Sequence, residues 1–375
     1  MLHIVRFFSD GVSELNSSNW RSLIPSRALI KAGHNVQLLY IKHWMENSEK
    51  SRRICSEADL IILERVMVEE SLYTARYWRE RKKPIVVDYD DAYQIIDNTN
   101  LAHKFWGKGE VEINIPFGVK FEKALDRHPL EQFKEGIIKY CTGATMPSKI
   151  LFEDWKDKFP CWYIPNYIDS DRYLSIKEQV KPDPKYITIG YGGSLSHVPS
   201  FKYSGIEEAF YRVCQKRPKV RIMICGDKRL YDRVPVPEDR KIFYNYVKWN
   251  EWGYMLGKFD IGIAPMALRY DSSRSFIKPL EYTMMGIPFV ASKTPAYADW
   301  YNVGSWVPME TEVPEIEKRS KLWEQSLLDV IDNYDQHKQD ANSKFEMAMR
   351  WDVDRCVGEL ENSYQDIIKV GKERM

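Results

Sequence analysis

The feature that most constrains the fold is an alternation, met twice along the chain, of short apolar runs with stretches of helical period. In the first half the apolar runs are His3 to Phe8, Val36 to Tyr40, Leu60 to Leu63, Ile85 to Val87, Ala144 to Met146 and Trp162 to Ile164. Helical pattern fills the gaps, for example at Leu23 to Ala32, Glu69 to Arg81, Leu130 to Tyr140 and Lys149 to Lys158. Strands that alternate with helices specify a parallel sheet covered by those helices. The second half repeats the plan, with strands expected at Ile187 to Tyr191, Val220 to Cys225, Ile242 to Tyr246, Ile261 to Ala264 and Phe289 to Ala291. Its helices are expected at Ile206 to Arg217, around Trp252 to Leu256, Lys278 to Met285 and Lys321 to Asn333. The fold class is therefore α/β, two Rossmann-like domains facing a cleft, with ligands at the C-terminal ends of the strands.

A chain of 375 residues is too long for one ordinary core and suits two domains. The boundaries read as 1–174 for the first, 175–350 for the second and 351–375 for a terminal helix, within a tail of helical pattern from Asn342 to Lys372. The polar segment Ser175 to Lys185, with Pro182 and Pro184, reads as the linker. Tyr89 to Lys120 shows no clean period, and its length suggests a functional loop or lid.

A net charge of +1 gives no global attraction to nucleic acid or anionic lipid, so binding of that kind would need local patches. No segment approaches the roughly 18 consecutive apolar residues of a spanning helix. The N-terminal MLHIVRFFSDG lacks a signal peptide's apolar region and cleavage site. Cys55, Cys141, Cys161, Cys214, Cys225 and Cys356 are scattered without C-x-x-C spacing, which suggests thiols in a reducing compartment and a cytoplasmic location. The 12 Trp, 23 Tyr and 15 Phe stand out, and sugars and bases both stack on such rings, although core packing explains many of them.

The stretch DIGIAPMALRYDSSRSFIKPLEYTMMGIPFVAS, residues 260–292, carries the most chemistry. It reads as a buried strand, a polar loop with Arg274, Ser275 and Lys278, a short helix with Glu281, and a second apolar strand. Cations and free amides at a helix N-terminus suit a phosphate. A carboxylate one turn further in can accept two hydroxyls of a vicinal diol, and diphosphate beside ribose makes a nucleotide-sugar site. An ordinary strand–helix–strand unit with solvated charges would look much the same. Gly192, Gly193 and Ser194 follow a strand, where glycine lets the backbone approach a diphosphate or simply turns the chain. His197 could reach the same place or merely cap a helix.

In the first half, Asp88, Asp90 and Asp91 end a strand in VVDYDDAY. A carboxylate there could orient or deprotonate an acceptor hydroxyl, with Asp91 preferred to Asp90; helix capping and turn chemistry are the other reading. Formally the run is also a D-x-D, whose oxygens suit manganese or magnesium. Two basic–aromatic clusters, RYWRERKK from Arg76 to Lys83 and HKFWGKG from His103 to Gly109, could join Lys42, His43, Trp44 and Lys50 to Arg53 as a patch for an anionic acceptor. Acidic residues interspersed among them favour an ordinary solvated face.

The pattern Lys278, Glu281-Tyr282, Gly286, Pro288 and Val290-Ala291-Ser292 resembles the donor signature of GT-B glycosyltransferases, closest to the large retaining, family-four-like group. Three further segments resemble that group in the right order. NSSNWRSLIPSRALIKAGHNV (Asn16 to Val36) is similar to the helix before its Ala-Gly-His-x-Val. CTGATMPSKILFEDW followed by YIPNYID (Tyr163 to Asp169) is similar to its strand–Ser–helix–strand–Pro-Asn–Asp run, and IGYGGSLSH (Ile189 to His197) to the opening of its donor domain. The resemblance implies a GT-B fold whose C-terminal helix crosses back to the first domain. It also implies transfer of a sugar from a nucleotide-sugar, UDP-linked by expectation, to an acceptor hydroxyl held by the first domain. Gly192, Gly193, Ser194, His197, Ser275, Lys278 and Glu281 are its expected donor-binding residues, with Glu281 on the ribose; Lys278 and Arg274 offset the leaving-group charge and Asp91 or Asp90 acts on the acceptor. No metal and no further cofactor is expected, because cations and amides stand in for one. The chain departs from the group at Ser273, eight positions before Glu281, where a Glu is usual, which points to a divergent branch, a phage-type enzyme being one such. The acceptor is a glycan or lipid-linked sugar, or modified DNA bearing a hydroxymethylated base; a non-catalytic nucleotide- or glycan-binding protein on the same fold is the rival from another class. Nothing in the sequence specifies the oligomeric state.

Overall fold

The structure, a computed structural model, describes residues 1–11, 16–65, 67–115 and 119–374. The chain divides into two compact units: Asn16–Tyr167 with the first strand and the chain from Cys356 on, and Ile168–Arg355. Residues 175–185 thus lie within the second unit, and the end of the last helix within the first.

In the first unit β1 (His3–Phe8), β2 (Asn35–Tyr40), β3 (Leu60–Glu64) and β4 (Ile85–Asp88) lead to a hairpin, β5 (Glu110–Ile115) and β6 (Val119–Ala124). The strands β7 (Gly143–Met146) and β8 (Cys161–Tyr163) complete a six-stranded sheet in the order β2-β1-β3-β4-β7-β8. Every neighbouring pair in that sheet is parallel. Ile4, Val5, Leu60 to Leu63 and Ile85 to Val87 are buried, as apolar strands covered on both faces must be. The hairpin corrects the reading of Tyr89 to Lys120 as an aperiodic loop. EVEINI pairs antiparallel with VKFEKA, Glu110 opposite Ala124, and alternating charged and apolar residues carry a period of two rather than a continuous run. The final helix, Val353–Glu373, is fastened to the first sheet by Arg6 to the Tyr364 hydroxyl (3.0 Å), His34 to Glu361 (2.7 Å) and the Trp162 indole to Asp366 (2.7 Å).

The second unit is built on β9 (Ile187–Gly193), β10 (Val220–Gly226), β11 (Lys241–Tyr244), β12 (Ile261–Ala264), β13 (Phe289–Ser292) and β14 (Ser305–Val307). The sheet is again parallel, in the order β11-β10-β9-β12-β13-β14. Ile189, Ile222, Ile224, Ile261, Ile263 and Val290 form its core with Phe201, Phe210, Trp323 and Leu327 from the helices. The strand order reverses between β9 and β12, and in such sheets the crevice at the C-terminal ends there is where ligands bind. Gly193 and Ala264 end the two strands that border it. Among the described residues no helix is long and apolar enough to cross a membrane, and the six cysteines are free, all but the half-buried Cys161 buried.

Candidate functional site

At the β9–β12 crevice the second unit gathers four side chains. The 3-10 turn Leu195–His197 follows β9, and the 3-10 turn Arg269–Ser273 after β12 delivers Arg274 and then the helix Ile277–Met285 with Lys278 and Glu281. Arg274 is buried and donates to His197 Nδ1 (2.8 Å) and the Ser196 carbonyl (3.0 Å), with its Nε 3.2 Å from Asp271. Burial, then the nearby Lys278 and Arg274 charges, hold the His197 imidazole well below its ordinary pKa. It is therefore a neutral acceptor for the guanidinium. Its ring also meets Tyr191 edge-on, centroids 6.2 Å apart.

Lys278 is half-buried, its ammonium 5.2 Å from the centre of the Tyr191 ring. Burial, aided by Arg274, lowers its pKa to about 8, while Glu281 works the other way. Glu281 is buried, and its Oε1 accepts from both the Tyr173 hydroxyl and the Trp252 indole, each at 2.6 Å. Burial raises its pKa to about 7 against those two hydrogen bonds and the Lys278 charge. Lys278 and Glu281 thus form a desolvated pair one helical turn apart, each shifted toward neutrality.

The glycines carry a packing reason of their own. A Cβ on Gly192 would lie 2.1 Å from the Trp252 ring, and one on Gly193 would lie 2.8 Å from both Leu230 and Tyr191. Close approach of an indole, as well as of a ligand, excludes side chains there. Ser194 is joined to Ser196 through their hydroxyls (3.1 Å), and Ser275 is half-buried beside Arg274. The structure therefore brings Arg274, Lys278, His197 and Glu281 to one place, with Gly192 to Ser194 on its floor. It adds Tyr173, Trp252 and Asp271. Asp271 Oδ2 accepts from the amides of Ala267 (3.0 Å) and Leu268 (3.2 Å), and its Oδ1 accepts from the Ser200 hydroxyl (3.0 Å), fixing the loop that aims Arg274. An acid three residues before Arg274 was the available signal for it. Tyr173 is too far along the chain to leave one.

In the first unit, Asp88 is a structural carboxylate. Arg21 grips it bidentately, at 2.8 and 2.7 Å, and the Thr145 hydroxyl adds a third bond at 2.6 Å. The same guanidinium donates to the Ile164 carbonyl and Asn166 Oδ1. The Arg21–Asp88 pair thereby ties together the segments Asn16 to Val36, Ala144 to Met146 and Tyr163 to Asp169. The group's burial is offset by that pairing, and the Asp88 carboxyl, although burial alone would raise it, lies below its usual pKa. Asp90 accepts from the Tyr93 hydroxyl (3.0 Å) and lies 3.7 Å from Arg65. Asp91 is half-buried next to it. Glu64, ending β3, was not singled out by the sequence; it accepts from the Ser9 amide (2.8 Å) and from the Ser18 (2.6 Å) and Ser22 hydroxyls, and burial raises its pKa.

The tryptophans of the basic clusters face inward, while Tyr77 and Phe105 are half-buried. Trp44, Trp78 and Trp106 are buried; Trp44 donates to Ser71 (2.9 Å), and Trp106 stacks on Tyr93 with centroids 4.3 Å apart.

No protein-family model and no curated protein matches the sequence. Solved structures do match it. HepE of Anabaena, in complex with UDP and glucose, is 12% identical over 98% of this chain and 100% of its own, with a TM-score of 0.63. Sucrose-phosphate synthase from Thermosynechococcus elongatus is 10% identical, covers 98% of this chain and 99% of its own, and has a TM-score of 0.63. A glycosyltransferase from Rickettsia africae is 11% identical over 98% of each chain, with a TM-score of 0.62. The fold is GT-B. At these identities it is the arrangement of strands and helices that is shared, while the side chains are this chain's own.

Proposed function

We propose that the chain is a glycosyltransferase that moves a sugar from a UDP-linked donor to a hydroxyl of a glycan or lipid-linked sugar. The observation that carries this reading is the meeting of Arg274 and Lys278 at the switch point of the second sheet, with Glu281 one turn deeper. Two cations beside a helix N-terminus suit a diphosphate and offset the charge that develops on it as the glycosidic bond breaks. His197, being neutral, adds no charge of its own and holds Arg274 in place. Glu281 Oε1 already serves Tyr173 and Trp252, so Oε2 is the oxygen for a ribose hydroxyl. The likeness to HepE supports the reading, since that protein is also known in complex with UDP-glucose, at 14% identity and a TM-score of 0.62. On the acceptor side we assign Asp91, with Asp90 engaged by Arg65 and Tyr93. The reaction needs no metal in this scheme.

The glycan acceptor is preferred to modified DNA because Trp44, Trp78 and Trp106 are buried and offer no face for base stacking. The test is a panel of UDP-sugars presented with oligosaccharide, lipid-linked sugar and hydroxymethylated DNA, reading UDP release and product mass. Acceptor-dependent UDP release with a glycan is expected. Release only with DNA would move the acceptor assignment. Tight UDP-sugar binding without turnover on any acceptor would make the chain a binding protein.

A further inference from the structure

A cavity of about 500 Å³ opens in the second unit at the N-terminal end of the central strand β9, with Ile187 in its wall. Gly193, Arg274 and Lys278 lie at the other end of that strand. Its lining includes Lys177, Lys181 and Lys338. Lys177 ends the helix Ser170–Lys177, Lys181 follows it, and Lys338 sits within the helix Tyr334–Ser343. Among the described residues no carboxylate forms an ion pair with any of the three. Asp260 lines the same cavity, but it accepts from the Thr188 amide (2.7 Å) and the Tyr334 hydroxyl (3.3 Å). Burial raises its pKa, and its charge offsets only part of the lowering at Lys338. Asp183 is turned to Arg221 (3.0 Å), and Glu178 is exposed.

Lysines on a protein surface usually extend their ammonium groups into water. Lys177 instead lies against the wall: a Cβ on Gly286 would come 3.1 Å from its Nζ. Lys177 and Lys338 are half-buried, and burial lowers the pKa of each; Lys177 and Lys181 lower that of Lys338 further. Lys181 is exposed, but the like charges of the two half-buried lysines favour a counter-charge. A helix C-terminus favours a cation and accounts for Lys177 and for Lys181, whose Nζ donates to the Lys177 carbonyl (3.4 Å), but not for Lys338, which is inside its helix. Met285, Phe259 and Tyr186 give the cavity an apolar wall, and its volume matches that of small-molecule sites.

We propose that this cavity binds a phosphate-bearing small molecule, its anionic group held by Lys177, Lys181 and Lys338 and its body against Met285 and Tyr186. The occupant is separate from the donor: the site rests on the second unit alone and stands whether or not the sugar-transfer reading holds. The phosphate could be inorganic or a monoester, and the probes distinguish them. The full chain is titrated with inorganic phosphate and with glucose 6-phosphate at constant ionic strength, following thermal shift and heat of binding. Three proteins are compared: the natural sequence, Lys177→Gln/Lys338→Gln and Lys278→Gln.

Both the natural chain and Lys278→Gln should be stabilised by anion. A stronger effect of glucose 6-phosphate marks a monoester as the ligand, and an equal effect marks phosphate alone. The double variant should lose roughly tenfold or more in affinity, as expected for losing charge-assisted bonds. In phosphate-free buffer it should melt no lower than the natural chain, because a repulsive pair has gone. Unchanged anion binding by the double variant, or no stabilisation of the natural chain beyond that of chloride, overturns the proposal. So does a double variant that melts lower without anion, since the lysines would then be structural.

Discussion

Lys278→Arg tests the proposed donor site through pH. The Lys278 ammonium is half-buried, and burial brings its pKa down to about 8. In the free protein it is therefore increasingly neutral above that pH. If the diphosphate binds the charged form, apparent affinity falls about tenfold per unit beyond the pKa, and so roughly thirtyfold near pH 9.5. Arginine keeps its charge throughout; the variant should bind UDP with a flat profile over the same range, while any titration of UDP itself is common to both proteins. Isothermal titration with UDP between about pH 7 and 9.5 reads the difference. The stability signs follow. The lysine's folded pKa lies below its ordinary 10.5, so its contribution to stability is full above that value and is lost as pH falls through about 8. The Glu281 pKa lies above its ordinary 4.5, so its contribution is full below that value and is lost as pH rises through about 7. Between the two the free pair is least comfortable, and stabilisation by UDP should be greatest there. A natural protein with no alkaline fall in affinity, or an arginine variant with the same fall, would falsify the placement of Lys278 on the diphosphate.

Glu281→Ala should leave a folded protein whose UDP affinity or turnover is down by about tenfold or more, read by titration and initial rates; full activity removes Glu281 from the donor site. Asp88→Asn strips the buried Arg21 of its counter-charge and should lower stability by about 3–5 kcal/mol in urea unfolding, with turnover per folded molecule kept. Because Asp88 lies below its usual pKa, the stability it contributes is present above pH 3.8 and lost as pH falls through its lowered value. Asp91→Asn should cut transfer by on the order of a hundredfold or more while sparing UDP binding, whereas a mere turn-capping role would show as a lower melt with intact kinetics. Excess chelator should leave activity whole, and a loss restored by manganese would direct attention to Asp90.

The sheets were legible because parallel strands buried on both faces are nearly pure in apolar residues. His3–Phe8 and Ile261–Ala264 have the expected limits, and most other strands differ by a residue or two at one or both ends. The hairpin Glu110–Ile115 with Val119–Ala124 escaped because half its residues are polar, and Ser305–Val307 because three residues carry too little pattern. Within the site, Arg274, Lys278 and Glu281 were legible as one local segment. Their supports were not. Tyr173 and Trp252 reach Glu281 from separate helices 108 and 29 positions away, a relation fixed only by packing. Asp88 misled for a related reason: a strand-end carboxylate suggests chemistry, and only the fold shows Arg21, 67 positions earlier, filling its coordination.

The departure at Ser273 acquires a physical meaning from its surroundings. One reading makes the nearest acid, Asp271, two residues early, a displaced substitute for the absent Glu. Its geometry argues against this. One carboxylate oxygen takes the Ala267 and Leu268 amides and the other takes the Ser200 hydroxyl, with Arg274 Nε 3.2 Å away. Turned toward a sugar hydroxyl, Asp271 would release two backbone amides and unpair the arginine it orients, each an unsatisfied buried group costing about 1–3 kcal/mol. Ser273 is itself buried, with a single hydroxyl where a carboxylate would offer two acceptor oxygens. Under the proposed function, the hydroxyls of the donor sugar must therefore be read by groups other than a carboxylate in this loop. Asp271→Asn should then change the binding of UDP and of a UDP-sugar by the same factor, through Arg274. A selective loss for the UDP-sugar would show that Asp271 touches the sugar after all.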